Sequence, residues 1–221
     1  MKREPDLIGI AGAGACPVRP FAHQPRWAVD LDTVGLGLGN PGEEYAGSRH
    51  NLGAEVVQIL AERHGGRLKK GRERALSGEV VVGGRRMAIA VPVTYYNLAG
   101  EAVRLLAGRH GVDDPRRVVI VHDELDLPVG RLKVKVGGGL AGNNGLKSIR
   151  QHLHTDDFVR VRIGVGKPPG RMDGADHVLR RPGKAERTEL DVVVQEAADA
   201  VEAILAAGPE AAMNRYNQGA G

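Results

Sequence analysis

Apolar residues are spaced along the chain in two ways that predict strands. Continuous apolar runs, as in 117–121, are typical of strands covered on both faces. Strict alternation, as in 131–136 with its lysines, indicates a strand with one wet face. Two short runs separated by Gly83-Gly84 indicate a hairpin. Together these patterns predict strands over residues 31–38, 79–82, 87–91, 117–121, 131–136 and 158–165.

Other segments repeat their apolar residues every three to four positions, which predicts helices. Leu52, Val56, Ile59 and Leu60 fall on one side of the first of them. The predicted helices cover residues 51–64, 97–110, 144–153, 187–206 and 209–216. Strands interleaved with helices, plus a hairpin, predict an α/β fold: a three-layer sandwich with a central mixed twisted sheet flanked by helices.

The length and composition fit one soluble domain. The chain has 221 residues, of which 42% are hydrophobic, and no run approaches the ~18 apolar residues of a membrane span. We assign residues 31–218 to a single domain. We expect residues 1–30 to be a disordered extension or the product of a start assigned too far upstream, since the alternative, a signal peptide, has Glu4 and Asp6 in its charged region. Cys16 is the single cysteine, which excludes an internal disulfide framework and fits the cytoplasm.

Charge is unevenly distributed. The formal net charge is only +4. However, residues 131–171 carry nine Lys and Arg against Asp156 and Asp157, whereas residues 183–202 carry six acids against Lys184 and Arg187. A basic block beside an acidic helix indicates a polyanionic partner. The alternative is an ordinary solvated face.

Candidate polar side chains follow predicted strands. Asn40, Asn97 and Asp123 each come after a strand, and Asn144 lies where a triglycine loop enters a helix. Ligands of open α/β sheets bind beyond the carboxyl ends of the strands, so these residues are expected in one cleft with His50. Each also has a plainer interpretation, because asparagines serve turns and helix caps, and a histidine can belong to the core.

Other chemistries have weak support. The segment 37–42 satisfies G-x-G-x-x-G, but a basic linker replaces the strand that should follow it in a dinucleotide site. The chain has three serines and no G-x-S-x-G elbow. His152 and His154 would diverge on a helix and not share a metal. We therefore expect hydrolysis by an activated water, with no cofactor and no metal.

Five motifs, in order and spacing, resemble those of bacterial-type peptidyl-tRNA hydrolases over Asp32 to Tyr216. They are Gly37-Leu38-Gly39-Asn40-Pro41-Gly42 with Tyr45 and Arg49-His50-Asn51; Pro92 and Thr94 with Asn97-Leu98 and Gly100; His122-Asp123-Glu124-Leu125-Asp126-Leu127-Pro128 with Gly130; Gly137-Gly138-Gly139 with Asn144-Gly145-Leu146-Lys147; and Arg162-Ile163-Gly164-Val165-Gly166. The resemblance implies hydrolysis of the ester between a peptide and the terminal ribose of tRNA, which recycles tRNA from stalled translation.

The same resemblance implies roles for individual residues. His50 would activate the water, Asp123 would orient the imidazole, and Asn40 would help to place the water. The residues expected to contact substrate are Tyr45, Tyr96, Asn97 and Asn144, and those expected on tRNA phosphates are Lys133, Lys135 and Arg162. The partner would be peptidyl-tRNA, with no membrane and no obligate protein partner, and the protein a monomer.

The chain departs from the family pattern at two places. Asn143 stands where the family more often has histidine, and Tyr95-Tyr96 stands where it usually has Phe-Met. We expect a working hydrolase with an altered substrate preference. Two alternatives remain at this stage: an inactive RNA-binding module on the same fold, and a peptide hydrolase of related architecture, which would need metal ligands.

Overall fold

The computed structural model describes residues 32–218. Its strands are β1 (Thr33–Gly37), β2 (Lys69–Lys70), β3 (Ala75–Val82), β4 (Arg85–Pro92), β5 (Val118–Glu124), β6 (Leu132–Val136) and β7 (Val159–Gly164). Its α-helices are α1 (Leu52–Arg63), α2 (Ala99–His110), α3 (Asn144–Leu153), α4 (Gly174–Leu179), α5 (Lys184–Ala207) and α6 (Pro209–Tyr216). The expected extension at residues 1–30 lies outside the described residues.

The strands form one mixed sheet with the order β2-β3-β4-β1-β5-β7-β6. The central strands β4, β1, β5 and β7 are parallel, whereas β2, β3 and β6 pair antiparallel with their neighbours. The central run Val118–Val121 is fully buried, as expected for a parallel strand covered on both sides. The predicted mixed sheet is confirmed.

Helices cover both faces of the sheet. One core lies between the sheet and helices α1, α5 and α6, where Leu52, Val56 and Leu60 follow the helical period and are at most 1% exposed. The second core lies under α2 and α3 and contains Leu106 and Ile149. These two cores make the three-layer sandwich that the sequence predicts.

Two glycines allow the first strand and helix to pack closely. A Cβ atom on Gly37 would lie 2.0 Å from the carbonyl oxygen of Gly53, and one on Gly53 would lie 2.3 Å from the carbonyl oxygen of Val121. Helix α1 therefore rests directly on the backbones of β1 and β5. The short connection between β1 and α1 carries Asn40 and His50, so this contact fixes the position of both.

Several predicted boundaries were wrong. Strand β5 runs to Glu124, so Asp123 lies inside the strand and not after it. The hairpin strands begin and end further out than predicted, at Ala75 and Pro92. Helix α4 and the short strand β2 were not predicted, because six and two residues are too few to show a period. No helix within residues 32–218 is long and apolar enough to cross a membrane.

Candidate active site

His50 and Asp123 form a hydrogen-bonded pair at the carboxyl end of the sheet. The His50 Nδ1 atom lies 2.9 Å from Oδ1 of Asp123 and 3.0 Å from Oδ2. A carboxylate only accepts hydrogen bonds, so the imidazole proton sits on Nδ1 and the lone pair on Nε2. Nε2 has no hydrogen-bond partner within residues 32–218, and His50 lines a cavity of about 360 Å³. The pair therefore presents a basic nitrogen to the cavity.

The Asp123 carboxyl is buried, with its side chain 4% exposed. Burial alone would raise its pKa, but the positive charge and hydrogen bond of His50, with help from His122 and Tyr96, hold the pKa of Asp123 below its usual value. Asp123 is thus an anion at neutral pH. Its negative charge in a low-dielectric setting favours a positive charge on the neighbouring imidazole.

Tyr96 contacts both members of the pair. Its ring stacks on the His50 ring with centroids 3.5 Å apart and an interplanar angle of 16°. Its hydroxyl donates to Oδ1 of Asp123 at 3.1 Å and accepts from Nδ2 of Asn143 at 3.0 Å. The residue is only 4% exposed. The hydroxyl is therefore bonded within the protein, while the ring forms part of the cavity wall.

Asn40 is held by an unpredicted clamp from Asn51. The Asn51 side chain accepts from the Asn40 backbone N–H at 2.8 Å and donates to the Asn40 carbonyl at 2.9 Å. The Asn40 side-chain oxygen accepts from the backbone N–H of Tyr96 at 2.8 Å. Its Nδ2 makes no hydrogen bond to any residue that the structure describes. The segments that follow β1 and β4 are thereby joined through one asparagine whose amide nitrogen stays available.

The remaining wall of the cavity comes from segments far along the chain. Asn144 begins α3 and lies on the cavity, with its side-chain oxygen 3.2 Å from Nζ of Lys147. Asp173, which caps helix α4, and Val178, within that helix, also line the cavity. The sequence did not reveal that α4 contributes to the site. Three of the predicted site residues, Asn40, Tyr45 and Asn97, are not among the residues that line this cavity. Asn40 and Tyr45 are half-buried, and Asn97 is exposed beside Tyr96.

Arg49 links the segment that carries His50 to helix α4 and the start of helix α5. Its guanidinium makes two 2.6 Å bonds to Glu186 at the start of α5, and donates to the carbonyls of His177 and Arg180 at 3.1 Å. The side chain is 8% exposed, and such a bidentate pair has a defined geometry. Arg49 thus holds the backbone next to His50 against helix α4, which lines the cavity. The sequence places Arg49 only within the Arg49-His50-Asn51 motif and predicts no role for it.

The three candidate phosphate ligands lie together on the sheet beside the cavity. Lys133 and Arg162 are directly opposite each other on β6 and β7, and Lys135 lies opposite Arg160. Lys133 is exposed and Lys135 half-buried. Arg162 is bound to Glu124 through Nε at 3.0 Å and Nη2 at 2.9 Å, with its side chain 16% exposed. The two lysines are therefore the more available cations.

Arg160 belongs to the basic block of residues 131–171, but its side chain is buried and supports a loop. It is 2% exposed and donates to the carbonyls of Gly137, Gly138 and Gly139. It therefore fixes the triglycine loop that leads to α3. Burial and the neighbouring Arg162 lower the pKa of Arg160.

His122, adjacent to Asp123, is 1% exposed and its Nδ1 donates to the Asp123 carbonyl at 2.7 Å. Burial, partly offset by the charge of Asp123, lowers the pKa of His122, so this imidazole is neutral at pH 7. Within residues 32–218, no three His, Cys, Asp or Glu side chains converge so that they could hold a metal ion. Among the titratable residues that line the cavity, His50 and Asp123 are hydrogen-bonded to each other.

Comparison with known proteins shows which family the chain is similar to. The sequence model of the family described as Peptidyl-tRNA hydrolase matches residues 34–220. The chain is similar to the peptidyl-tRNA hydrolase of Frankia alni (50% identical over 182 residues, 82% of this chain and 92% of the relative). It is also similar to that of Pseudarthrobacter chlorophenolicus (48% identical over 184 residues, 82% and 93%).

A solved structure shows the same fold. The crystal structure of peptidyl-tRNA hydrolase from Acinetobacter baumannii superposes with a TM-score of 0.79 at 34% identity, covering 85% of this chain and 95% of the other. The family match over residues 34–220 takes in the segments that carry His50, Asp123, Asn40 and Asn144. On the extent of the family match and the identity to its members, the chain belongs to the peptidyl-tRNA hydrolase family.

Proposed function

We propose that this protein hydrolyses the ester between a peptide and the terminal ribose of tRNA, using a water that His50 deprotonates. The observation that carries the mechanism is the His50–Asp123 pair, with its free Nε2 on a cavity. An ester needs only a moderate nucleophile, so a water activated by imidazole near neutral pH is sufficient. A non-catalytic RNA-binding module is not favoured, because it would not require this pair to be assembled.

Asp123 supports the base in two ways. Its hydrogen bond keeps the Nδ1 tautomer, which leaves the Nε2 lone pair for the water proton. Its buried charge stabilises the imidazolium that forms when His50 accepts that proton. The proton passes from water to Nε2, hydroxide attacks the ester carbonyl, and the ribose hydroxyl leaves with a proton returned by His50.

The asparagines supply hydrogen bonds to the peptide and to the developing oxyanion. Asn40 has its oxygen committed to Tyr96, so Nδ2 is the atom it offers. Asn144 lies at the N-terminus of α3, where unpaired backbone N–H groups and the helix dipole favour negative charge. Asn97 and Tyr45 lie outside the cavity and would contact parts of the substrate further from the ester.

The tRNA would lie across the open part of the sheet. Lys133 and Lys135 carry no ion pair within residues 32–218, and they adjoin the cavity through Arg162 and Glu124. Phosphate contacts give affinity without reading sequence, which suits an enzyme that accepts many tRNAs. We further propose that the protein is a cytoplasmic monomer that recycles tRNA during ribosome rescue.

The test is release of peptide from N-acetylated aminoacyl-tRNA in the presence of a chelator. We expect wild type to turn over and His50→Ala to lose at least about 10²-fold in rate while binding tRNA normally, as for the loss of a general base. His154→Asn, at an exposed left-handed position that asparagine tolerates, is the matched control and should keep the wild-type rate. Turnover by His50→Ala at the control rate would reject His50 as the base. Binding without turnover by wild type would establish the RNA-binding alternative.

A further inference from the structure

The Tyr96 hydroxyl lies between two polar side chains, and the chemistry of each fixes the direction of its hydrogen bonds. The Asn143 Nδ2 group can only donate, so Tyr96 Oη accepts from it at 3.0 Å. The proton of Tyr96 is then directed to Oδ1 of Asp123 at 3.1 Å. Asp123 in turn accepts from Nδ1 of His50. A directed chain of hydrogen bonds therefore runs from Asn143 through Tyr96 to Asp123, where it meets His50.

Asn143 is fixed in this orientation by a second bond. It is the N-cap of α3, and its Oδ1 accepts from the backbone N–H of Leu146 at 3.0 Å. Exchanging its oxygen and nitrogen would set two donors, Nδ2 and the backbone N–H of Leu146, against each other. The amide of Asn143 thus holds the start of α3 to the hydroxyl of Tyr96.

The ring of Tyr96 fits because α3 has a glycine where it passes. A Cβ atom on Gly145 would lie 2.5 Å from Cε1 of Tyr96. The other side of the ring stacks on His50. Burial, reinforced by the charge of Asp123, raises the pKa of Tyr96 well above its usual value, so the phenol remains a donor throughout the neutral range.

We propose that Tyr96 and Asn143 are positioning residues that orient Asp123 and set the pH at which His50 can accept a proton from water. The inference rests on the proposed role of His50 as the base. The hydrogen bonds of the two side chains run to each other, to Asp123 and to the backbone of Leu146, so both residues act through Asp123. Tyr96 and Asn143 thereby act as one hydrogen-bonded unit.

The direction of the effect follows from the charge on Asp123. A donated hydrogen bond from Tyr96 disperses the negative charge of the carboxylate. Without it, more of that charge acts on His50, which then holds its proton up to a higher pH. The other charged or titratable groups around the pair are Glu124, Asp126, His122 and Asp173, with Arg162 bound to Glu124 and Arg49 bound to Glu186. A single hydroxyl deletion leaves all of them in place.

The first experiment follows the His50 ring proton by NMR across pH in wild type and Tyr96→Phe, with the signal assigned from the spectrum of His50→Ala. We expect the midpoint of the titration to rise by about half a pH unit or more, since a hydrogen bond to a charged group is among the stronger ones. The acid limb of the hydrolysis rate should move to higher pH by the same amount. Tyr216→Phe removes another buried hydroxyl, one with no partner among the described residues, and should leave both unchanged.

A second variant tests the relay without touching the ring. Asn143→Ser keeps a good N-cap for α3 but has no Nδ2 to donate to Tyr96. It should shift the midpoint in the same direction by a smaller amount, and add nothing in the Tyr96→Phe background, because it acts through that hydroxyl.

An unmoved midpoint in Tyr96→Phe would overturn the relay, even if the rate fell. A shifted midpoint in a protein that does not hydrolyse peptidyl-tRNA would uphold the relay and instead reject the proposed function.

Discussion

At the scale of single residues, the site depends on partners that stabilise a charge inside the protein. Asp123 is 5% exposed, yet His50 and Tyr96 keep it ionised. Asn51 fixes the position of Asn40 by hydrogen bonding to its backbone N–H and carbonyl groups. Motif reasoning placed His50 and Asp123 in one cleft, and the structure adds the hydrogen bonds that fix the tautomer and the ring plane.

Replacement of Asp123 by Asn should make stability depend less on pH. The pKa of Asp123 is lower in the folded protein than in the unfolded chain, so its carboxylate stabilises the fold above a pH of about 4, and this contribution is lost as pH falls through the lower folded value. The difference in unfolding free energy between wild type and Asp123→Asn should therefore shrink between about pH 5 and pH 3. Urea unfolding at several pH values measures it. A difference that stays constant over this range would contradict the assignment.

At the scale of elements, loops around the site are held by buried arginines. Arg160 on β7 binds the three carbonyls of the triglycine loop, and Arg49 binds α4 and the start of α5. Gly137 and Gly138 have φ angles of 61° and 83°, which turn their carbonyls in directions that other residues rarely allow. The arginine and the glycines therefore depend on each other.

Arg160→Met should destabilise the protein by about 3 kcal/mol, because the three carbonyls of the triglycine loop, including that of the buried Gly137, would lose their charged donor. Arg150→Met is the matched control: Arg150 is exposed on α3, and its change should stay within about 0.5 kcal/mol. Chemical denaturation compares the two. Equal stability of both variants would show that the loop does not need the Arg160 guanidinium.

At the scale of the whole molecule, charge is separated between the two faces of the sheet. Helices α5 and α6 cover β6 and β7 on one face, while Lys133, Lys135, Arg160 and Arg162 share the other. On α5, the acids Glu186, Asp191, Asp199 and Glu202 are bound to Arg49, Arg187 and Arg63. Much of the acidic helix is thus neutralised internally, whereas the lysines of β6 remain available to a polyanion.

Lys133→Ala combined with Lys135→Ala should weaken tRNA binding and reduce the slope of log affinity against log salt by about 2, one for each phosphate contact. The matched control is Lys69→Ala with Lys70→Ala, which removes the same charge from exposed lysines of β2 at the opposite edge of the sheet. Binding measured over a range of salt concentrations decides between them. An equal loss of slope in the control would mean that net charge, and not the β6 face, attracts the tRNA.

The sequence by itself determined the layers of the fold and named the candidate catalytic residues. Apolar periodicity is local, so it predicted α3 and α6 at their observed bounds and the central strands to within a few residues. Because strand ends of a parallel sheet meet at one edge, it also predicted that Asn40, Asn97, Asp123 and Asn144 would share a cleft with His50. His50, Asp123 and Asn144 do line one cavity, whereas Asn40 and Asn97 are not part of its lining.

Only the tertiary structure decided which polar groups are paired. Asp123 is 73 residues from His50 along the chain and 27 from Tyr96, and Arg49 is 137 from Glu186. No local pattern records such partners, because they are chosen by which side chains the packed layers bring within hydrogen-bonding distance. The same packing gave two neighbouring cations different surroundings: Arg162 is bound to Glu124, whereas Lys133 on the adjacent strand is exposed.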